Sequence, residues 1–293
     1  MDMSVFRAAK SLTKIRGLYS GLGTAQKLIA DEILRDPQGA VSLTIRQLAA
    51  RCSVGYSTVC RFCEQLGFSG YRDFRNRLAQ DLMEETGPPI NLSDYEFHRG
   101  NTAEQVCRET FALYREILED CAGLLDPSQV RLAAQYILSA RSLHIIGTGA
   151  SASSAMYAHT RLLRLGIPCS VCADPMVFLM ESAMMQPGDV LLAVSSSGRT
   201  IPIVQAASNA AENGAKVIGV CDFSVSPLQE LSHCCLCTTG RNVRSHLNVD
   251  LHLTIGQIAI LDILYSCCCI AQGPQGRLNY LQTREAIRFL KEK

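Results

Sequence analysis

The stretch DVLLAVSSSGRT, residues 189–200, joins an apolar run directly to three serines and a glycine. The residues that follow, IPIVQAASNAAENG (201–214), have the length and composition of a helix. A short, uninterrupted apolar run is typical of a strand that is buried on both faces, as strands of parallel sheets are. The stretch therefore predicts a strand, a polar loop and a helix in succession.

Three further apolar runs repeat this arrangement on either side of it. They are SLHIIG, IPCSVCAD and KVIGVCD, and helix-length segments separate them. Strands that alternate with helices form parallel sheets through right-handed crossovers, with helices covering both faces. The C-terminal part of the chain is therefore predicted to be a doubly wound α/β domain of three layers.

The N-terminal part has a different pattern. Residues 1–83 show helical periodicity throughout, and TGPPINLSDYEFHRGN (86–101) interrupts it with glycine, two prolines and polar residues. A helical pair follows at about 102–122 and 127–140. We predict an all-α domain at 1–85, a linker at 86–101 and the α/β domain at 102–293.

The composition excludes several classes of protein. With 293 residues, 47% hydrophobic and 19% charged, the chain is too apolar for disorder and long enough for two domains. The start, MDMSVFRAAK, lacks the apolar core of a signal peptide, and the late run IAILDILYSCCCIA contains Asp262 and is too short to span a bilayer. We expect a cytoplasmic protein that does not enter a membrane.

Fourteen cysteines raise the questions of disulfides and metal. Without an export signal, reduced thiols are expected, and several of them lie in apolar runs where thiols act as small hydrophobic groups. The pairs Cys60/Cys63 and Cys169/Cys172 fall in a predicted helix and a predicted strand, whereas zinc pairs usually lie on tight turns. Neither these pairs nor the cluster Cys234, Cys235 and Cys237 is predicted to bind metal, and no cofactor is expected.

The net charge of +1 hides an asymmetry between the two parts. Residues 1–85 carry 12 Lys and Arg against 9 Asp and Glu, and the remaining residues carry 16 against 18. Within residues 46–77 there are six arginines against two acids. This segment is where a polyanion such as DNA is expected to bind.

The basic segment contains two short helical patterns around a tight turn. Residues SLTIRQLAARC have apolar positions at helical spacing, CSVG interrupts, and YSTVCRFCEQLG resumes the pattern with Gly67 placed to end it. Such a pair is typical both of a helix-turn-helix and of a plain helical bundle. In a helix-turn-helix the start of the second helix enters the major groove. The residues that would then face bases are Tyr56, Ser57, Thr58 and Arg61, and those that would contact phosphates are Arg46, Arg51, Arg72, Arg75 and Arg77.

Two polar loops are predicted to lie at one edge of the sheet. The second serine loop, residues 195–200, follows the run that ends at Val194, and the first serine loop, residues 147–151, follows SLHIIG. In parallel sheets, ligands bind beyond the carboxyl ends of strands, where helix N-termini offer N–H donors. The candidate residues for a bound anion are Gly147, Gly149, Ser151, Ser195, Ser197, Gly198 and Thr200, with Thr200 also a candidate helix cap.

The first serine loop also fits a different ligand. GTGASA (147–152) matches the dinucleotide fingerprint GxGxxG/A, and Asp174 is available as the acid that such a site requires. A simple connecting loop is a third interpretation. A phosphomonoester can use both serine loops, whereas a nicotinamide site does not need the second, so the pair of loops favours a sugar phosphate over NAD.

At this point the sequence resembles a known family. LAARCSVGYSTVCRFCEQLGFSGYRDFRNRLA is similar to the helix-turn-helix of RpiR-type bacterial regulators, and GTAQKLIADEILRDPQ (23–38) resembles the helix before it. GTGAS, SSSGRT and SPLQEL (226–231) resemble the SIS (sugar isomerase) domain that follows in that family. The resemblance covers nearly the whole chain in the family's order.

The resemblance implies a transcriptional regulator that binds operator DNA and senses a phosphorylated sugar, and that forms a homodimer or a higher oligomer. It assigns phosphate contacts to Ser151, Ser195, Ser197 and Thr200, with Gly147 and Gly198 shaping the loops. Two positions differ from the family. Gly55 stands where serine often opens the second motif helix, and Ser196 stands where a larger residue is common.

SIS domains also occur in aldose–ketose isomerases, so an enzyme is the alternative. Proton transfer between neighbouring carbons needs a general base. The candidates expected near the serine loops are His159, Glu181, Glu230 and His233. A packing role for His159 and solvent-exposed helix positions for Glu181 and Glu230 are favoured over catalysis, which analogy of fold alone does not establish. Finally, LTIGQIAILDILYSCCCIA is predicted to be an amphipathic to buried helix. Asp262 within it needs a partner if it is buried, which indicates a domain or dimer contact, and ordinary core is the alternative.

Overall fold

A computed structural model describes residues 10–84, 101–222, 225–239, 243–244, 250–251 and 254–290. The chain divides into two compact units. One comprises Met1–Leu124 with Thr239–Leu253, and the other comprises Leu125–Thr238 with Thr254–Lys293. Of the predicted linker, residues 86–100 lie outside the described residues.

The first unit is built mainly of helices. They are α1 (Ser11–Leu18), α2 (Thr24–Arg35), α3 (Pro37–Ser42), α4 (Ile45–Arg51), α5 (Tyr56–Gln65), α6 (Tyr71–Glu84) and α7 (Ala103–Leu124). A 3-10 turn, Tyr19–Gly21, follows α1, and two short strands, β6 (Val243–Arg244) and β7 (Asp250–Leu251), pair antiparallel. The all-α prediction therefore describes the N-terminal helices, and the first helix of the predicted pair at 102–122 belongs to this unit.

The ends of α4 follow from local side-chain chemistry. Thr44 caps the helix: its hydroxyl accepts from the Gln47 N–H at 3.3 Å, and the Gln47 Oε1 accepts from the Thr44 N–H at 2.7 Å. At the other end, the Val54 N–H donates to the Ala49 carbonyl at 2.9 Å, and Ser53 adopts a φ of 52°. This is a Schellman ending in which serine occupies the left-handed position that glycine usually fills.

The helix-turn-helix is held together by the apolar residues that the periodicity singled out. Val59, Phe62, Cys63 and Leu66 of the second helix are fully buried, as is Leu48 of the first. Gly67 has a φ of 80°, and the Phe68 N–H donates to the Cys63 carbonyl, so that α5 ends where the sequence predicted.

The second unit alternates helices with five parallel strands. In chain order these are α8 (Pro127–Ser139), β1 (Ser142–Gly147), α9 (Ala150–Leu163), β2 (Cys169–Cys172), α10 (Pro175–Ala183), β3 (Asp189–Val194), α11 (Ile201–Glu212), β4 (Lys216–Asp222), α12 (Pro227–Leu231), β5 (Cys234–Thr238), α13 (Ile255–Gln272) and α14 (Pro274–Ala286). A 3-10 turn, Arg288–Leu290, follows α14. The strand order is β2-β1-β3-β4-β5, and all four pairings are parallel.

Each face of the sheet packs against its own helices, which confirms the three-layer prediction. On one face, Leu143 and Leu192 pack with residues of α8, α9 and α13. On the other, Ile146 and Leu191 pack with residues of α10, α11 and α12. Successive strand residues point to opposite faces, and both faces are buried, which explains why the strands are apolar throughout.

Helix α13, with 18 residues and a mean hydropathy of 1.6, is long and apolar enough to cross a membrane by length and composition alone. The helix extends beyond the run IAILDILYSCCCIA, so the prediction that this segment is too short to span a bilayer is wrong on length alone. However, Ile260, Leu264 and Cys268 are buried in the core of the second unit. Asp262 is half-exposed and accepts hydrogen bonds from Tyr157 and Arg161 of α9, so its partners lie within the second unit.

Candidate functional site

The two serine loops meet at the carboxyl edge of the sheet. Strands β1 and β3 are neighbours in register, with Gly147 beside Val194, so both loops leave the sheet at the same level. Ser151, near the start of α9, is buried, as is Ser195, the first residue of the second loop. The structure therefore brings together the two segments that the sequence predicted to share a ligand.

Gln257 joins the two loops through its side-chain amide. The Gln257 Nε2 donates to the Ser151 hydroxyl at 3.2 Å and to the Ser196 hydroxyl at 3.0 Å. Its Oε1 accepts from the Ser154 hydroxyl at 2.7 Å. Sequence analysis missed this residue, because it lies more than a hundred positions from Ser151 in a segment that looks like ordinary core.

The local backbone geometry explains why glycine occupies each of these loop positions. A β-carbon at Gly147 would lie 2.6 Å from the Ser151 carbonyl oxygen, so only glycine allows the chain to turn into α9 so tightly. Gly149 and Gly198 have φ values of 57° and 61°, in the left-handed region that favours glycine. A β-carbon at Gly198 would in addition collide with the side chain of Ser226.

The hydroxyls of the second loop are held in defined positions. The Ser195 and Thr200 hydroxyls lie 3.1 Å apart and form a hydrogen bond. Thr200 occupies the cap position of α11, but its side chain makes no capping hydrogen bond, so the predicted capping role is wrong. The Ser197 hydroxyl accepts from the Arg199 N–H at 3.2 Å and is half-buried.

A buried carboxyl group lies at the same edge. Asp222 is the last residue of β4, and its N–H donates to the Ser196 carbonyl at 2.8 Å. Burial raises the pKa of Asp222 to about 7, against the opposing effect of the hydrogen bond that its carboxylate accepts from Thr238 at 2.7 Å. The sequence signal for this residue was its place at the end of the run KVIGVCD, next to the predicted ligand edge.

Asp174, the acid that a dinucleotide site would require, has a structural role at the start of α10. Its Oδ1 accepts from the N–H groups of Met176 and Val177 at 2.8 and 3.2 Å, and thus caps α10. The helix cap therefore gives this carboxylate a role that does not involve a dinucleotide.

Two candidate isomerase bases lie at the opposite edge of the sheet. Glu181 lines a cavity of about 450 Å³ together with Ser142 and Asp189, the first residues of β1 and β3. At about 3.3 Å per residue, Asp189 lies about 20 Å from Ser195. His233 also lies at the amino edge, where its Nδ1 accepts from the Val217 N–H, and burial and the Lys216 charge lower its pKa.

The other two candidates are also remote from the serine loops or exposed. His159 lies two turns along α9 from Ser151, about 12 Å away. Its Nδ1 is buried without a partner among the described residues. Glu230 lies on the exposed side of α12. The expectation that these four residues lie near the serine loops is therefore wrong for Glu181 and His233.

The DNA-facing candidates lie on one exposed surface of the helix-turn-helix. Tyr56 is 59% exposed, and Ser57 and Arg61 are also exposed on α5. Thr58 is half-buried on the same helix, and Gly55 is its N-cap. Ser57 and Arg61 therefore lie on the side of α5 opposite its buried residues, and Tyr56 and Thr58 lie on either side of them.

The predicted phosphate-contacting arginines fall into two groups. Arg51 pairs with Glu32 at 3.2 Å, and Arg77 pairs with the buried Asp81 at 2.9 Å. The guanidinium groups of these two arginines are therefore already paired within the first unit. Arg46 and Arg72 are exposed on α4 and α6, and Arg75 is half-buried on α6.

The cysteine cluster does not form a single group. Cys234 faces the α8, α9 and α13 side of the sheet, whereas Cys235 packs against the α10, α11 and α12 side. Burial raises the pKa of Cys234 to about 12, and hydrogen bonds to Cys221 and Cys237 raise that of Cys235. Over the described part of the chain, no group of three or more metal-ligating side chains is arranged to hold a metal ion.

Comparison with known proteins assigns both halves of the chain. The model of the rpiR-family helix-turn-helix domain matches residues 9–85, and that of the SIS domain matches residues 136–253. The HexR transcriptional regulator of Pseudomonas aeruginosa is 29% identical over 280 residues, covering 94% of this chain and 95% of that protein. HexR of Escherichia coli is 26% identical over 94% of both chains.

Among solved structures, the Vibrio vulnificus NanR protein complexed with ManNAc-6P is similar. It is 25% identical with a TM-score of 0.59, and the match covers 97% of this chain and all of that one. A helix-turn-helix domain followed by a SIS domain defines a DNA-binding transcriptional regulator. The chain belongs to the RpiR family of these regulators.

Proposed function

We propose that this regulator binds a phosphorylated sugar at its two serine loops and that the bound sugar changes its affinity for operator DNA. The main support for the proposal is that the two loops lie side by side. The Ser151 hydroxyl of the first and the Ser196 hydroxyl of the second both lie within 3.2 Å of the Gln257 Nε2. A cluster of hydroxyls at helix N-termini is suited to a phosphate group, whose oxygens accept several hydrogen bonds.

The contacts assigned to phosphate are those that the sequence predicted. Ser151, Ser195, Ser197 and Thr200 supply hydroxyls, while Gly147, Gly149 and Gly198 let the backbone approach closely. The similarity to a NanR protein complexed with ManNAc-6P supports a phosphorylated sugar as the ligand class. These residues contact the phosphate group and therefore do not select one phosphorylated sugar over another.

The DNA-binding half acts through α5 in the major groove. Tyr56, Ser57, Thr58 and Arg61 contact base edges or nearby phosphates. Arg46, Arg72 and Arg75 contact phosphates and add affinity that does not depend on sequence. Two such heads in a homodimer read a two-fold operator, and their spacing is the quantity that a ligand can change.

The sugar-phosphate site and the DNA-binding surface are coupled by thermodynamic linkage. If the ligand binds one dimer geometry more tightly than another, it shifts the population toward that geometry. Operator DNA that prefers one geometry then gains or loses affinity by the same coupling factor.

The ligand is identified by thermal unfolding of the purified protein. The panel contains hexose, pentose and amino-sugar phosphates, among them N-acetylmannosamine 6-phosphate, with the matching unphosphorylated sugars and NAD. A ligand present at a hundred times its Kd adds about 2.7 kcal/mol to stability. We expect one sugar phosphate to stabilise the protein, whereas its parent sugar and NAD have no effect.

Two serines of α9 form a matched pair of variants. Ser151→Ala should abolish the stabilisation, as should Ser197→Ala in the second loop. Ser153→Ala changes an exposed serine two positions along the same helix and should leave it intact. Stabilisation by NAD alone, or loss of the effect in Ser153→Ala, would contradict the assignment.

DNA binding is tested with duplexes selected from a random library, at a series of salt concentrations. Removing one phosphate contact should lower the slope of log affinity against log salt by about 1. We expect this for Arg72→Ala and a change in sequence preference for Arg61→Ala, whereas Arg35→Ala on α2 should change neither. A sugar phosphate that binds but leaves operator affinity unchanged at fixed salt would refute the coupling.

A further inference from the structure

Gln257 has an unusual position for a polar residue. It lies in the first turn of α13 and is 2% exposed, and its amide reaches three serines from two other segments. Ser151 and Ser154 belong to α9, and Ser196 belongs to the second serine loop.

The hydrogen bonds have a definite direction. The Gln257 amide has two N–H bonds, and its nitrogen donates to the hydroxyl oxygens of Ser151 and Ser196. The Ser154 hydroxyl donates to the amide oxygen, which fixes the orientation of the amide group. A hydroxyl has one proton, and a hydroxyl that accepts from an amide keeps that proton available for another acceptor.

We propose that Gln257 is a positioning residue that makes the serine loops an anion site, by holding the Ser151 and Ser196 hydroxyls so that their protons face the ligand. The proposal rests on the proposed function and adds Ser196 to the groups that contact phosphate. It also explains why a buried amide is placed here: a carboxylate would accept from the same hydroxyls and turn their lone pairs toward the ligand.

The test is the isosteric substitution Gln257→Glu, with inorganic phosphate as the probe. Affinity is measured by calorimetry on the full-length protein at several pH values between 5.5 and 8. At pH 8 we expect the phosphate affinity of Gln257→Glu to be at least tenfold lower than that of the wild type. The ratio of variant to wild-type affinity should recover in part as the pH falls, because a protonated glutamic acid has one O–H and can donate to one of the two serine hydroxyls.

The titrations of phosphate and of Asp222 affect both proteins, so taking the affinity ratio at each pH cancels their contribution. Gln205→Glu makes the same change on the exposed side of α11 and should leave the affinity within twofold of wild type. Gln257→Met retains the side-chain length but has no N–H, so its loss of affinity should not depend on pH. Circular dichroism and the melting temperature without ligand check that each variant folds.

The outcomes separate the two proposals. If wild type does not bind phosphate, the serine-loop site fails and the role of Gln257 fails with it. If wild type binds and Gln257→Glu binds equally well, the site stands and the role of Gln257 is overturned. Equal losses in Gln257→Glu and Gln257→Met at every pH would also overturn it, since they would indicate packing alone.

Discussion

Replacing Asp222 with asparagine should stabilise the protein about twice as much at pH 8 as at pH 5.5. Asp222 is 7% exposed, and burial raises its pKa to about 7 from an ordinary value of 3.8. In the unfolded chain the carboxyl is ionised above about pH 4, whereas in the folded protein it holds its proton until about pH 7. Folding therefore takes up a proton in this range, and stability falls as the pH rises from 4 to 7.

The size of the effect follows from the shift. One pKa unit corresponds to about 1.4 kcal/mol, so the full penalty above pH 7 is of the order of 4 kcal/mol. At pH 5.5 the same relation gives a loss of folding stability of about 2 kcal/mol. Asparagine has no such penalty, and its side-chain oxygen can still accept from Thr238. The difference in stability should therefore be about twice as large at pH 8 as at pH 5.5.

The measurement is urea unfolding of both proteins at pH 5.5, 6.5 and 8, following the transition of the second unit. Asp174→Asn is the control: Asp174 is an exposed helix cap, and asparagine caps equally well, so its effect should stay within about 0.5 kcal/mol. A stability difference for Asp222→Asn that is independent of pH, or a variant less stable than wild type at pH 8, would refute the burial argument.

Three other substitutions test single features of the fold. Gly198→Ala should cost about 2 kcal/mol and abolish phosphate binding, because it combines a left-handed φ with a collision at Ser226; unchanged melting and binding would contradict the loop geometry. Ser53→Gly should raise the free energy of unfolding by about 0.5–1 kcal/mol by relieving a left-handed residue in the helix-turn-helix, as urea unfolding of the first unit would show. Phe62→Ala should cost about 3–5 kcal/mol in the same assay and abolish DNA binding, and a loss under 1 kcal/mol would contradict the packing argument for Phe62.

Local pattern was sufficient for most of the secondary structure. The apolar runs predicted the strands, and the spacing of Val59, Phe62 and Leu66 predicted the buried face of α5. The glycines at 67 and 198 were recognised from their places beside a helix end and a strand end. Each of these signals lies within a few residues of the structure that it specifies, because hydrogen bonding and periodicity act over that distance.

Local pattern failed where a role depends on distant residues. Glu181 was expected near the ligand edge, but it lines a cavity with Ser142 and Asp189 at the opposite edge of the sheet. Thr200 was expected to cap a helix, and its hydroxyl instead bonds to Ser195.

The sequence by itself thus determined the two domains, the parallel sheet, the helix-turn-helix and the two serine loops. Only the tertiary structure decided that Gln257 joins those loops and that Asp222 is buried beside them. The physical reason is that the partners of Gln257 lie 61 to 106 positions away along the chain. No periodicity carries information over such a separation, whereas the packing of α13 against α9 brings these residues within hydrogen-bonding distance.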